Sequence, residues 1–330
     1  MISQKPGIID SISEFKKISP RGHNIDELKK LLKEKRISKQ IKSYNDEHTK
    51  SNLTLFKTAI KYLSQDNSNT QTHYNYFGRS KSKVFFYMLN SMLKKRKRQS
   101  FIDSYLKRNV DLKTDFIYFP LAVDLERNLL IDAPFHTNQI EIISNVAKSL
   151  PVGYRLYVKE NPSQISREWR DIDEYKTLMS IPNTTIIHPT YPSEKLLENC
   201  KLVVNIAGTS AFESAFFEKP ALVFINRGYT ILPSINTVTD ISLLPRLIRD
   251  SLKIKPNVSD LDKYVHLLEK NSFNFHWMDF NSIFKNEFYH QGGLVDVQID
   301  EQKIKIMLEN HQSSFQELTN AYIEKINNFD

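Results

Sequence analysis

The sequence predicts an α/β protein: a parallel sheet of about five strands with flanking helices, preceded by a helical basic segment and followed by C-terminal helices. Three observations predict it. From Phe116 onward, short runs rich in β-branched and aromatic residues alternate with helical segments, the signature of parallel strands joined by crossover helices. Before that point only helical spacing occurs. No fixed-period repeat runs through the chain, which excludes a solenoid.

In residues 1 to 113, "IDELKKLLKEKRISKQI" and "NLTLFKTAIKYLSQD" carry apolar residues three and four apart, and the polar stretch "SQDNSNTQTHYNYFGRSKSK" links two or three such helices. The strands are expected at "FIYFPL" (116 to 121), "YRLYVKE" (154 to 160), "TTIIHP" (184 to 189), "LVVNIA" (202 to 207) and "ALVFIN" (221 to 226). Between them "HTNQIEIISNVAKSL", "DEYKTLMSI", "SEKLLENC" and "SAFESAFFEK" read as helices. Lys219-Pro220 is expected to end the last of these, because proline has no N–H to continue it. "DISLLPRLIRDSLK" comes next, and the tail from 258 reads as helical with a Gly292-Gly293 turn. The expected domains are therefore 1–113, 114–257 and 258–330.

At 330 residues and 40% hydrophobic, the chain can bury a full core. Its longest apolar run, Val84 to Leu93, falls short of the roughly 20 residues needed to cross a bilayer. The start lacks the continuous apolar stretch of a secretory signal, and the single Cys200 cannot pair within the chain, so a reducing, cytoplasmic setting is expected. The net charge of +8 conceals a split: residues 1 to 113 hold 25 Lys+Arg against 10 Asp+Glu, and the remainder 21 against 28. A basic segment that meets an anionic surface is thus attached to a near-neutral body.

In open parallel sheets ligands bind beyond the carboxyl ends of the strands, so the residues just past each strand matter most. Those residues are Asp124, Glu126 and Arg127; Lys159, Glu160, Asn161 and Pro162; His188, Pro189 and Thr190; and Gly208, Thr209 and Ser210. In "IAGTSAFESAFF", Gly208 permits a sharp exit from the strand, and Thr209 and Ser210 place hydroxyls and backbone N–H groups at a helix start, where the dipole favours an anion such as phosphate. Glu213, a turn later, can accept from ribose hydroxyls. Ser210-x-x-Glu213 is equally a capping box that satisfies its own backbone donors without a ligand. Lys159 can neutralise a phosphate with Asn161 donating beside it, or form a solvated pair with Glu160. His188 is either a binding residue or a structural hydrogen-bonder. The nine His and one Cys show no metal-ligand spacing, so no metal and no cofactor are expected.

The ordered run from "FIYFPLAVDLERNLL" through "YRLYVKENPSQ" and "TTIIHPTYPSEKLLENC" to "LVVNIAGTSAFESAFFEKPALVFINRGYTILPSI" resembles the capsule polysaccharide biosynthesis family, over about residues 115 to 250. Its relatives include Kdo-transferring enzymes of capsule assembly. The resemblance implies a GT-B-like, Rossmann-type fold and a glycosyltransferase that uses a nucleotide-sugar donor, CMP-linked and Kdo-like, with a glycan or lipid-linked acceptor. It implies that Lys159 and the "KENP" turn hold the nucleotide phosphate region, Thr209 and Ser210 the phosphate, and Glu213 the ribose or nucleobase side. Glu126 and Gln139 match polar positions at the cleft rim, and Glu126 and Asp124 are the candidate catalytic carboxylates. Two departures stand out: Asn161 and Ala122 occupy positions where the family usually carries histidine. Moreover, GT-B enzymes contain two Rossmann-like domains, and residues 1 to 113 are too helical to supply one. A partner glycosyltransferase subunit, or a catalytically inactive nucleotide-binding role, is the alternative this raises.

"RSKSKVFFYMLNSMLKKRKRQ" surrounds an apolar-aromatic helix with Arg79, Lys81, Lys83, Lys94, Lys95, Arg96, Lys97 and Arg98. This is the composition of an interfacial anchor, at about 1 kcal/mol per basic residue near an anionic membrane. It fits a peripheral enzyme on the inner face of the plasma membrane. A solvated helix is the alternative, and nucleic acid is disfavoured because no helix-turn-helix, zinc finger or RNP pattern accompanies the charge.

Overall fold

A computed structural model describes residues 8–35, 57, 60, 63–64, 80–124, 126–272, 277–288 and 301–327. Along the chain, α1 (Ile8–Lys17), α2 (Ile25–Lys35) and α3 (Lys81–Tyr105) precede β1 (Phe116–Pro120). Then come α4 (Arg127–Leu130), α5 (Gln139–Lys148), β2 (Arg155–Lys159), α6 (Ile172–Ser180), β3 (Thr184–Ile187), α7 (Ser193–Asn199), β4 (Leu202–Asn205), α8 (Ser210–Ala215), β5 (Ala221–Val223) and β6 (Ile235–Thr237). The remaining helices are α9 (Leu244–Ser251), α10 (Val258–Lys270), α11 (Trp277–Phe288), α12 (Glu301–Asn310) and α13 (Gln312–Asn327).

The chain divides into two compact units, one of Ile8–Lys29 and Asn90–Leu267, the other of Met1–Gly7, Lys30–Leu89 and Leu268–Asp330. The first contains a six-stranded sheet of order β3-β2-β1-β4-β5-β6, with every pairing parallel. The strand order reverses between β1 and β4, which is where a doubly wound, Rossmann-type sheet opens its crevice. Ile117, Phe119, Leu156, Val158, Leu202, Val204 and Leu222 face one continuous core with Ile142, Ile143 and Val146 of α5, Tyr175 and Leu178 of α6, and Ile248 of α9. By strand alternation Tyr118, Tyr157 and Val203 face the other way, where the Phe116 and Tyr157 rings stack at 4.4 Å.

The structure adds detail to these expectations. The sheet has a sixth strand, β6, whose three residues pair with β5 from Ala221↔Ile235 to Val223↔Thr237. The strands end one to three residues earlier than expected, at Pro120, Lys159, Ile187, Asn205 and Val223. Helix α8 stops at Ala215 rather than at Pro220: Glu218 adopts a left-handed φ of 54° and Lys219 N donates to Ser214 O at 3.0 Å.

The boundaries expected at 113 and 257 also fall inside the sheet-bearing unit. Ile102 and Leu106 of the preceding segment enter its core, and Lys107 bridges to Ile187 beside β3. At the other end, Asp262 of α10, 1% exposed, accepts from Gly22 N (2.8 Å) and His23 N (3.3 Å) and pairs with His23 Nδ1 (2.8 Å). Gly22 takes φ +85° to bring that loop in, a conformation in which a side chain would be strained.

In the second unit the described helices α11 and α13 meet through an aromatic contact. Phe280 meets Phe315 edge-on at 5.2 Å, Phe284 meets Phe288 at 4.8 Å, and Met307 is buried. The Gly292-Gly293 turn, most of the helix expected in "NLTLFKTAIKYLSQD", and Arg79 lie outside the described residues. Among the described residues no helix is long and apolar enough to cross a membrane.

Candidate functional site

Register places three residues level at the carboxyl end of the sheet. Pro120 of β1 pairs with Lys159 of β2, and two residues beyond the Tyr118↔Val203 pair it lies level with Asn205 of β4. Lys159 is only 4% exposed. Among the described residues its ammonium makes no hydrogen bond and no ion pair. Burial drives its pKa down to about 8, against the opposing field of Glu160. Asn205, 1% exposed, donates from Nδ2 to Gly208 O at 2.9 Å, while its Oδ1 is buried with no partner among the described residues. Gly208 O also accepts from Tyr229 Oη at 2.8 Å, so the turn out of β4 is pinned twice. A Cβ on Gly208 would sit 3.2 Å from Asn205 Nδ2. The constraint on this glycine is that close approach, which the Asn205 amide would have to yield to by a few tenths of an ångström, and not a left-handed backbone.

That turn leads into α8, whose N-cap is Thr209. The capping-box alternative is not formed. Thr209 carries helical dihedrals and no side-chain cap, Glu213 N bonds to Thr209 O at 2.8 Å, and Thr209 Oγ1 donates to Glu213 Oε1 at 3.3 Å. Thr209 is exposed, and Ser210 and Glu213 are half-buried. Six residues make a short dipole, so Lys159 is the stronger source of positive potential along this edge.

On the β2 side the charges are already spent. Arg170, 3% exposed, donates through Nε to Glu160 Oε2 at 2.9 Å, through Nη1 to Asp124 Oδ2, and through Nη2 to Ala122 O at 2.5 Å. Glu160 is fully buried and also accepts from Tyr175 Oη (2.7 Å) and Asn161 N (2.7 Å). Burial by itself would lower the guanidinium pKa, but Glu160 and Asp124 raise it, so the cation is permanent. Asp124 further accepts from Gln139 Nε2 (2.7 Å) and Gln164 Nε2 (3.4 Å). Gln139 clamps Ala122 through both N–H and C=O. Asn161 accepts from Ser163 N at 3.0 Å and so caps the 3-10 turn Pro162–Arg167. Nothing in the sequence marked Arg170 or Tyr175 as members of a site. The one available signal was a Trp-Arg pair within the charged run "SREWRDIDE".

Beside this network lies a cavity of about 350 Å³, lined by Asp124, Gln164, Trp169, Arg170 and Glu174 among others. Glu168 and Trp169 both hold φ of 63°, a left-handed pair that costs about 1–3 kcal/mol per residue and needs its surroundings to enforce it. Arg98 supplies that support. Its Nη1 donates to Glu168 O (3.2 Å) and Trp169 O (3.1 Å), and its Nη2 pairs with Asp171.

Of the expected site residues, the structure sets Lys159 level with Asn205, whose amide holds the Gly208 turn ahead of Thr209, Ser210 and Glu213. Of the expected residues, Asp124 and Arg98 line the cavity. Glu126 stands at the start of α4, outside the cavity lining. His188 serves packing: its Nδ1 accepts from Thr190 N (3.2 Å) and lies 2.6 Å from Thr190 Oγ1, leaving Nε2–H to donate to Asp103 at 3.0 Å. Burial lowers the His188 pKa, which keeps it in this neutral form. The basic helix is divided by its own period. Lys81 and Lys95 are half-buried and Lys83, Lys94, Arg96 and Lys97 exposed, whereas Arg98 turns inward to the Glu168–Trp169 corner.

A family model described as capsule polysaccharide biosynthesis protein matches residues 19–232. No curated protein matches the sequence. Among solved structures, the UDP-GlcNAc 2-epimerase of Methanocaldococcus jannaschii is similar at 16% identity over 52% of this chain and 49% of its own, with a TM-score of 0.35. The β-Kdo 2,7-transferase KpsC of Thermosulfurimonas dismutans is similar at 16% identity over 53% and 51%, with a TM-score of 0.34. The chain spans about half the length of these solved structures.

Proposed function

The chain belongs to the capsule polysaccharide biosynthesis family, and from that premise we propose that its sheet-bearing unit holds the nucleotide sugar of a glycosyltransferase reaction. The observation that carries this reading is Lys159. A lysine only 4% exposed, whose ammonium has no ion pair or hydrogen bond among the described residues, is costly to keep charged. A donor phosphate at the end of β2 would offset that cost. Thr209 and Ser210 supply further donors to the phosphate, and Glu213 the acceptor for ribose. As the bond from the sugar to the nucleotide breaks, negative charge grows on the departing phosphate, and a cation already dehydrated and fixed in place stabilises it most. The donor in this reading is a CMP-linked, Kdo-like sugar, on the family resemblance, and the acceptor is a glycan or lipid-linked glycan. Of the two candidate carboxylates, Asp124 has both oxygens engaged, which leaves Glu126 as the group to take the acceptor proton. Exposed Lys94, Arg96 and Lys97, beside exposed Tyr87 and Leu93, would rest the protein on an anionic membrane surface.

A second reading, a nucleotide-binding subunit without transfer activity, is favoured by Asn161. It stands where the family usually carries histidine and is consumed in capping the turn after β2, so it moves no proton. Titrating CMP, CMP-sugar and UDP-sugars while following the Thr209 amide by NMR tests the binding step common to both readings, and turnover with a glycan acceptor separates them. No shift with any nucleotide, together with salt-sensitive retention on DNA, would overturn both.

A further inference from the structure

We propose that the 350 Å³ cavity beside β1 and β2 binds one uncharged sugar ring, with Arg167 donating to its hydroxyls, Glu174 accepting from them and the Trp169 ring forming part of the wall. The assignment rests on the nucleotide-sugar reading only for its biological setting; the cavity argues for a sugar by itself. Its volume falls within the range of roughly 300–1,000 Å³ typical of small-molecule sites. Trp169 is 4% exposed, and its Nε1 is buried with no acceptor among the described residues. The indole ring lines the cavity while its N–H stays behind the wall, which makes its NMR signal a reporter of the site rather than a donor to the ligand.

The charges decide the ligand class. Arg98, Arg167 and Arg170 face Asp124, Asp171 and Glu174, three of each sign, so the lining offers both donors and acceptors without a net field to hold a phosphate or a carboxylate. Arg170 and Arg98 are already committed to Glu160, Asp124 and Asp171. That leaves Arg167 and Glu174, which make no side-chain ion pair among the described residues. Burial raises the Glu174 pKa, with Asp124 adding to the effect, as suits an acceptor partly withdrawn from water. Leu129 and Leu130 complete an apolar wall. A pyranose, with hydroxyls around its edge and C–H groups on its faces, matches this mixture; a nucleotide phosphate matches Lys159 instead.

The chain has two tryptophans, Trp169 and Trp277, so ¹⁵N-labelled protein gives two indole signals, which Trp169→Phe assigns. Methyl glycosides of glucose, galactose and N-acetylglucosamine, added at millimolar concentration, should move the Trp169 signal and leave Trp277 in place. Glu174→Ala and Arg167→Ala, both at partly or fully exposed positions, should each weaken that response about tenfold or more. If free glycosides act, the sugar is the acceptor's; if only UDP-linked sugars act while UDP does not, it is the donor's. A Trp169 signal that no sugar moves, or that CMP or UDP alone moves, overturns the assignment. So does a response to N-acetylneuraminic acid alone. A Thr209 amide that still answers to nucleotide in those samples shows that the nucleotide reading has survived the loss.

Discussion

The carboxyl edge of the sheet has two sides that treat charge in opposite ways. On the β1–β2 side, Arg170 is surrounded by Glu160, Asp124 and a backbone carbonyl, and the charges satisfy one another. Along the row from Lys159 to Asn205 and the Gly208 turn, a lysine that is 4% exposed and a buried amide oxygen lack such partners among the described residues. The first arrangement is scaffold, because removing any member leaves another charge stranded. The second keeps its polar capacity for something outside the chain.

The largest expected effect breaks the scaffold side. Arg170→Ala strands fully buried Glu160 and should cost about 3–5 kcal/mol in denaturant unfolding. Arg170→Lys should rescue little, since an ammonium cannot span Glu160, Asp124 and Ala122 O together.

Lys159→Met should do the reverse. Its folded pKa lies below the unfolded value, so the unfolded chain binds more protons between about pH 8 and 10.5, and wild-type stability falls as pH drops through that window. The methionine variant should therefore be more stable by up to about 3 kcal/mol at pH 7, with the gain fading toward pH 10.5, while nucleotide binding is lost. An accompanying loss of stability would mean that Lys159 has a structural partner. By the same sign, wild-type nucleotide affinity measured by calorimetry should decline as pH rises through about 8, where the ammonium is lost.

Thr209→Val should weaken nucleotide binding about tenfold, read by calorimetry, with little change in unfolding, because its hydroxyl is exposed and caps nothing. The smallest effect is expected from Ser210→Ala, within about 0.5 kcal/mol of wild type in thermal melts. A loss near 1 kcal/mol would instead restore a capping role for Ser210.

Much of the fold was legible. "FIYFP", "RLYVK", "TTII", "LVVN" and "ALV" are runs that only a sheet covered on both faces can bury, and each became a strand. β6 was not legible because "INT" is three residues long, too short for a pattern, and exists only because β5 offers it an edge. The part that residues before 113 play in the core was not legible for a related reason. Composition separates basic from neutral sequence, but Ile102 and Leu106 join the core according to where α3 lies. The site divides the same way. Lys159, Thr209 and Ser210 stand at or just past the ends of β2 and β4, where strand periodicity breaks into polar residues and marks them. Trp169, Arg170 and Glu174 lie beyond the turn after β2 and meet Asp124 only across the sheet.

Sequence alone determined the order of strands and helices, the polar residues at the strand ends and the position of the charge, because periodicity and composition act over a few neighbours. The tertiary structure decided which of those charges are neutralised. Partners such as Arg170 and Asp124 are separated by dozens of residues, and whether Lys159 is solvated or buried depends on which strands flank it.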